Sequence, residues 1–269
     1  MSSTLLLFIH GFQGSRNSFH HFPQDIQSQM AVPADVAFYE YNTQGEFATK
    51  VQDLATYILA LAHTKVIVFC HSMGGPLCVD ACLLAPVHAV LAFDSPFFGL
   101  GPGAMIHGAA RTRAAVQNIT KAATELKTYP WQVAGIAALA IGAFSMYTAA
   151  ATPKAIPNLF EANIKMVKEQ VEFLGPLWAS DSPARFTRLA QTPVIFNAIY
   201  LQLNGQHFAK PPPPELAGMF STHVMTKPVD CIHAHMELFS ERSDPAYLTL
   251  LSKTCRWLDS VLGWFNSSC

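Results

Sequence analysis

The sequence predicts an α/β fold: a mostly parallel, doubly wound sheet, with a helical block inserted between two late strands. Three observations predict it. Short apolar runs alternate with helical patterns from Thr4 to Asp94. The runs are continuous, as in strands covered on both faces. The strand pattern stops near Pro96 and resumes at Thr192. A β-α-β-α order of this kind argues for parallel strands with helices on both sides.

Each element can be justified in order. "TLLLFIH" (Thr4–His10) reads as a buried strand, and "GFQGSRNSF" as a loop, with a helix following to about Met30. "ADVAFYEYN" (Ala34–Asn42) is a second strand. Phe47, Val51, Leu54, Ile58 and Leu61 then recur at helical spacing. "KVIVFC" is the third strand. "GGPLCVDACLLAP" is a helix that tolerates Pro76 in its first turn. "HAVLAFD" is the fourth strand. From Pro96 to about Gln191 the predicted elements are helices, at Gly103–Thr128, Trp131–Ala150 and Asn158–Phe173. Thr192–Asn204 is a strand, "AKPPPPE" a stiff extended linker, and "THVMTKPVDCIH" holds the last strand. An amphipathic C-terminal helix follows, with Asp244 as its N-cap. The expected organisation is therefore a core formed by residues 1–95 and 192–269, interrupted by a cap or lid at 96–191.

Composition narrows the function classes. Of the 269 residues, 51% are hydrophobic and 13% charged, which implies a large core or an apolar surface that something covers. The formal charge of −1 shows no electrostatic footprint for nucleic acid. The six cysteines are scattered, and Met1–Gly11 lacks a basic n-region and a cleavage site, so the expected location is cytoplasmic with reduced thiols.

The chemistry concentrates at "FCHSMGG". A strand that stops at Ser72, with Gly74 and Gly75 opening a helix, is what a nucleophile elbow requires. The turn lifts the Ser Oγ over the sheet edge, and small residues around it relieve backbone crowding. Cys70 stands where the G-x-S-x-G pattern has its first glycine. The plainer alternative is a Ser N-cap on an ordinary helix. In "FIHGFQGS", a strand ending in His10-Gly11 turns the next backbone N–H toward the sheet top. The N–H groups of Phe12 and Met73 can then form an oxyanion hole.

These motifs resemble the α/β-hydrolase fold in its lipase and esterase branch, in a version with a short N-terminus. "AFDSPFFGL" resembles a segment of lipase-like members, many of them fungal hydrolases, and "IHAHMELFS" the segment carrying their catalytic His. "EFLGPLW" and "RFTRL" are also similar to stretches of such proteins. The resemblance spans most of the chain and implies His235 as general base, with His233 next. It also implies a carboxylate after the strand before the last, but "PVIFNAIYLQLNGQHF" holds only Asn197 and Asn204. Asp94, at the end of the strand after the nucleophile helix, keeps the order Ser…acid…His, and some lipases place their acid there. Asp230 is the rival acid.

The implied function is a serine hydrolase of carboxylic esters, with apolar acyl or lipid substrates and no cofactor. Acyl transfer or thioester cleavage would use the same residues, and a non-catalytic binding or membrane-interaction protein of the same fold is the other class. Cys231, His233 and His235 alternate and would share one face of a strand. No second Cys/His pair accompanies them, so no metal site is assigned. The segment 128–153 carries one charge-free run long enough to span a bilayer. A single crossing would put two strands of one sheet on opposite sides, so a cap helix, an apolar lid or a re-entrant hairpin is expected. The insertion is also the expected point of contact with a membrane surface.

Overall fold

The computed structural model describes residues 3–105, 169, 172–177, 182–240, 242 and 244–267. Six strands form one sheet: β1 (Thr4–Ile9), β2 (Asp35–Tyr39), β3 (Lys65–His71), β4 (Ala89–Phe93), β5 (Ile195–Leu203) and β6 (Phe220–Met225). Their order is β2-β1-β3-β4-β5-β6, and every neighbouring pair is parallel. All carboxyl ends therefore lie along one edge, where ligands of open α/β sheets bind.

The helices are α1 (Phe22–Gln29), α2 (Phe47–Leu59), α3 (Gly74–Ala81), α4 (Ser182–Leu189), α5 (Cys231–Met236) and α6 (Pro245–Ser267). They bury both faces of the sheet. Leu6, Phe8, Ile67, Phe69, Leu91 and Phe93 pack with residues of α1 and α6. The alternate positions Leu5, Leu7, Ile9, Val68, Cys70 and Val90 pack with residues of α2, α3 and α4. Successive side chains point to opposite faces, so a strand covered on both sides needs apolar residues at every position. That is why these strands read as unbroken apolar runs.

Local chemistry shifts some boundaries. The helix expected to follow the Gly11–Phe19 loop is preceded by a 3₁₀ turn at Arg16–Phe19, capped by Ser15. His20 then takes a positive φ of 47° before α1 begins. The last strand ends at Met225, short of the expected "CIH". Asp230 accepts a hydrogen bond from the His233 N–H at 2.8 Å and starts α5, so Cys231, His233 and His235 lie on a helix and do not share a strand face. Asp244 accepts from the Ala246 N–H at 2.7 Å at the start of α6.

Residues 96–191 intervene between β4 and β5, which are direct neighbours in the sheet. Because the two strands are parallel, this insertion leaves the sheet at its carboxyl edge, after Phe93, and returns at its amino edge, before Ile195. On its return, α4 is tied to α3: Arg185 reaches both carboxylate oxygens of Asp80, at 2.7 and 3.1 Å. The helices expected at 103–128, 131–150 and 158–173 fall mostly or wholly outside the described residues, as does the apolar segment 128–153. Among the described residues, no helix is long and apolar enough to cross a membrane.

Candidate active site

β3 runs straight into α3, and the residue at the junction is Ser72. Its φ is 55°, a left-handed conformation that a non-glycine residue adopts only when its surroundings hold it there. Ser72 N–H donates to the Phe93 carbonyl at 3.0 Å, and Gly75 N–H to the Ser72 carbonyl at 3.0 Å. The two glycines are required by close approach. A Cβ on Gly74 would lie 2.7 Å from the carbonyl oxygens of Ile9 and His10, and one on Gly75 would lie 2.2 Å from Ser95 Oγ.

Cys70 is tolerated because the elbow is crowded elsewhere. Its side chain is fully buried among Ile9, Leu77 and Cys78 in the core beneath α3. Contact with Cys70, together with burial, pushes the Cys78 thiol well above its usual range, and contact with Cys82 offsets only part of that rise. These thiols are packing groups.

The loop after β1 comes over the same junction. A Cβ on Gly11 would fall 2.5 Å from Ser72 Cβ, so only glycine lets this backbone pass. The Gly11 carbonyl accepts from Gly14 N–H at 3.1 Å and from His10 Nδ1 at 2.9 Å. His10 Nε2 accepts from Tyr41 N–H at 3.4 Å, which assigns the proton to Nδ1. Burial lowers the His10 pKa, so this imidazole stays neutral. Because a trans peptide is planar, fixing the Gly11 carbonyl fixes the Phe12 N–H on the opposite edge of the same unit. Met73, which follows Ser72, is buried at the amino end of α3.

Asp94 lies one residue past β4. It is fully buried, with a φ of 43°. Its N–H donates to the Ile199 carbonyl at 2.7 Å, and its Oδ1 accepts from Leu201 N–H at 3.0 Å. The carboxylate thus continues the β4–β5 ladder past the end of β4. The other oxygen, Oδ2, faces His235 Nδ1 at 2.7 Å. His235 is held in α5 with only 6% of its surface exposed.

The residues singled out in the sequence therefore separate. Ser72, Gly74, Gly75, His10 and Gly11 meet at one point on the sheet edge, and Asp94 joins His235. Asp230 caps α5 through His233 N–H, and Asn197 accepts from Trp257 Nε1 at 3.0 Å on α6. Two further residues touch the His235 ring and carried no such signal. Phe208 stacks on one face, with ring centroids 3.6 Å apart, and His71 on another side at 4.4 Å. The Asn204-Gly205 pair was a usable sign for Phe208, because an Asn-Gly turn folds a chain back on itself. Among the described residues, no group of three ligating side chains is placed to hold a metal.

Solved structures match nearly the whole chain at low identity, and two of them serve as examples. A candidate aryl esterase of Burkholderia cenocepacia is 14% identical, with a TM-score of 0.56, covering 97% of this chain and 91% of that one. A lipase-esterase related protein of Clostridium acetobutylicum is 10% identical, with a TM-score of 0.51, covering 97% and 95%. The fold that these likenesses and the sheet topology define is the α/β-hydrolase fold. No model of a known family and no curated protein matches the chain, and neither structure bears on the fungal-type likeness of its motifs.

Proposed function

We propose that the chain is a serine hydrolase of carboxylic esters that forms an acyl-enzyme on Ser72. The observation that carries this reading is the buried Asp94–His235 pair at the sheet edge where Ser72 sits on a left-handed turn. His235 takes the Ser72 Oγ proton as the hydroxyl attacks the ester carbonyl. Asp94 keeps the proton on Nδ1, leaving Nε2 to act as base, and stabilises the imidazolium that forms. The N–H groups of Phe12 and Met73 receive the oxyanion. The imidazolium then protonates the leaving alcohol, and water, activated by the same imidazole, cleaves the acyl-enzyme.

The substrate class proposed is an ester with an apolar acyl group. Its support is the aromatic wall beside the oxyanion loop, where Phe12 stacks against Phe173 at 6.2 Å, together with the charge-free stretch of the insertion. The test is labelling with a fluorophosphonate probe. Wild type should label and Ser72→Ala should not. A wild-type protein that stays unlabelled would favour a non-catalytic binding role. A p-nitrophenyl ester series of rising chain length then addresses the acyl group, and deletion of residues 132–149 should abolish any preference for long chains.

A further inference from the structure

The imidazole of His235 is held by more than its carboxylate. Phe208 lies nearly parallel to it, with ring centroids 3.6 Å apart and an interplanar angle of 17°. His71 lies 4.4 Å away at 29°. Its own ring is anchored edge-on by Phe239, 5.5 Å away, and its Nε2 is buried without a partner among the described residues.

Phe208 reaches this position through a chain of local constraints. Asn204 and Gly205 have φ values of 50° and 77°, and Leu203 and Gln206 exchange both backbone hydrogen bonds around them. This tight turn sends residues 206–210 back over the strand ends. There they pair with the start of the insertion: Gly101 N–H donates to the Phe208 carbonyl at 2.6 Å, and Lys210 N–H to the Gly99 carbonyl at 3.0 Å. His207 Nδ1 lies 2.7 Å from the Leu201 carbonyl and holds the strap from below. In the position where the resembling proteins most often carry their acid, this chain has a turn that delivers an aromatic ring instead.

We propose that Phe208 and His71 form an aromatic clamp on His235, and that Phe208 is a positioning residue for the general base. This rests on the reading of His235 as that base. Asp94 fixes one point of the imidazole, Nδ1, and a single hydrogen bond leaves the ring free to rotate about it. Ring contact on either side removes that rotation, so Nε2 keeps one direction. The π face of Phe208 also meets the positive charge that the ring acquires during attack, an attraction that is stronger in a desolvated site. His71 meets the same charge as a neutral ring, because burial, and then the nearby His235, holds its pKa well below the usual value.

Phe208→Leu and Phe208→Tyr test the clamp by two readouts. The first is the rate of fluorophosphonate labelling at Ser72. The second is the downfield NMR signal of the His235 Nδ1 proton shared with Asp94. Phe208→Leu should slow labelling on the order of 10- to 100-fold, as for a misplaced catalytic group. It should also broaden the proton signal while the KM for a short p-nitrophenyl ester holds. Phe208→Tyr, which keeps the ring, should restore both readouts. Gly101→Ala moves the strap without altering Phe208, because its Cβ would lie 2.3 Å from the His207 carbonyl oxygen, and it should give the same loss. Wild-type labelling rates with a sharp proton signal in Phe208→Leu would overturn the clamp and leave the hydrolase reading standing. A wild-type protein that shows the Phe208-dependent proton signal but never labels would overturn the hydrolase reading, and with it the role of Phe208 toward a general base, and leave only the ring contact on His235 standing.

Discussion

Asp94 and His235, 141 residues apart in the chain, meet through a 2.7 Å hydrogen bond between Oδ2 and Nδ1 that is closed off from solvent. The second carboxylate oxygen is held by the Leu201 N–H, so the acid cannot swing away from the imidazole. A carboxylate fixed in this way by the sheet ladder holds the imidazole without relying on a flexible loop.

Asp94→Asn should therefore lower kcat for ester hydrolysis by roughly 10⁴-fold, because an amide favours the wrong imidazole tautomer. Asp230→Ala should leave kcat within a few-fold of wild type. It removes the side-chain cap of α5 and should reduce stability by about 1 kcal/mol, read by urea denaturation. A large kcat loss in Asp230→Ala with normal Asp94→Asn would reassign the acid.

Restoring the glycine of the G-x-S-x-G pattern should not help. Cys70→Gly removes a fully buried side chain beneath α3 and places glycine in a central strand. The two effects together should destabilise the protein by about 1–2 kcal/mol, with no gain in labelling rate. Gly75→Ala is the harsher change, since Ser95 Oγ and Cβ lie 2.2 and 2.4 Å from the new methyl carbon. Overpacking of this kind should destabilise by about 1–3 kcal/mol. Matched unfolding curves for the two variants and wild type check both expectations.

The link between α3 and α4 should depend on guanidinium geometry. Arg185 is buried and forms a two-pronged bond to Asp80. Arg185→Ala leaves that carboxylate partly buried without its partner and should destabilise by about 3 kcal/mol. Arg185→Lys should recover little of this, because an ammonium cannot match both oxygens at once. A lysine variant as stable as wild type would show that only the charge matters.

Acid sensitivity should trace in part to His223. Burial, followed by nearby Lys253, lowers its pKa to about 4, and neither ring nitrogen has a partner among the described residues. The unfolded chain takes up this proton at higher pH than the folded one does. Stability is therefore full above the ordinary His pKa of about 6.5 and falls as the pH drops toward 4, by at most about 1.4 kcal/mol per pH unit for one imidazole. His223→Leu should flatten that decline in urea titrations between pH 4 and 6.5. An unchanged slope would assign the decline to other groups.

The fold was largely legible because strands covered on both faces have no polar positions. "TLLLF" and "VIVFC" could be little else once turn residues bounded them. The turn at Ser72 was legible for a related reason: a sharp strand-to-helix junction needs small residues within a few positions, and that requirement is local. Where local rules competed, the reading slipped. The chain through "CIHAH" has strand-like alternation, yet Asp230 three residues before His233 supplied a helix cap that prevailed.

The partners of His235 were legible to different degrees. Asp94 could be reached by eliminating carboxylates near the strand ends, although Asp230 remained its rival. Phe208 and His71 could not be reached that way, because ring stacking between β3, α5 and a returning strap leaves no periodic trace.

By itself, then, the sequence determined a parallel sheet and Ser72 as the residue at the sharp turn. Those features depend on residue type and spacing within a few positions of the chain. Only the tertiary structure decided which carboxylate faces His235, that Asn197 and Asp230 serve the scaffold, and that an aromatic ring covers the imidazole. Those outcomes depend on how the β4 and β5 ends and the α5 start stack over one another. That geometry is set by parallel register and the approach of distant backbones, which no local pattern encodes.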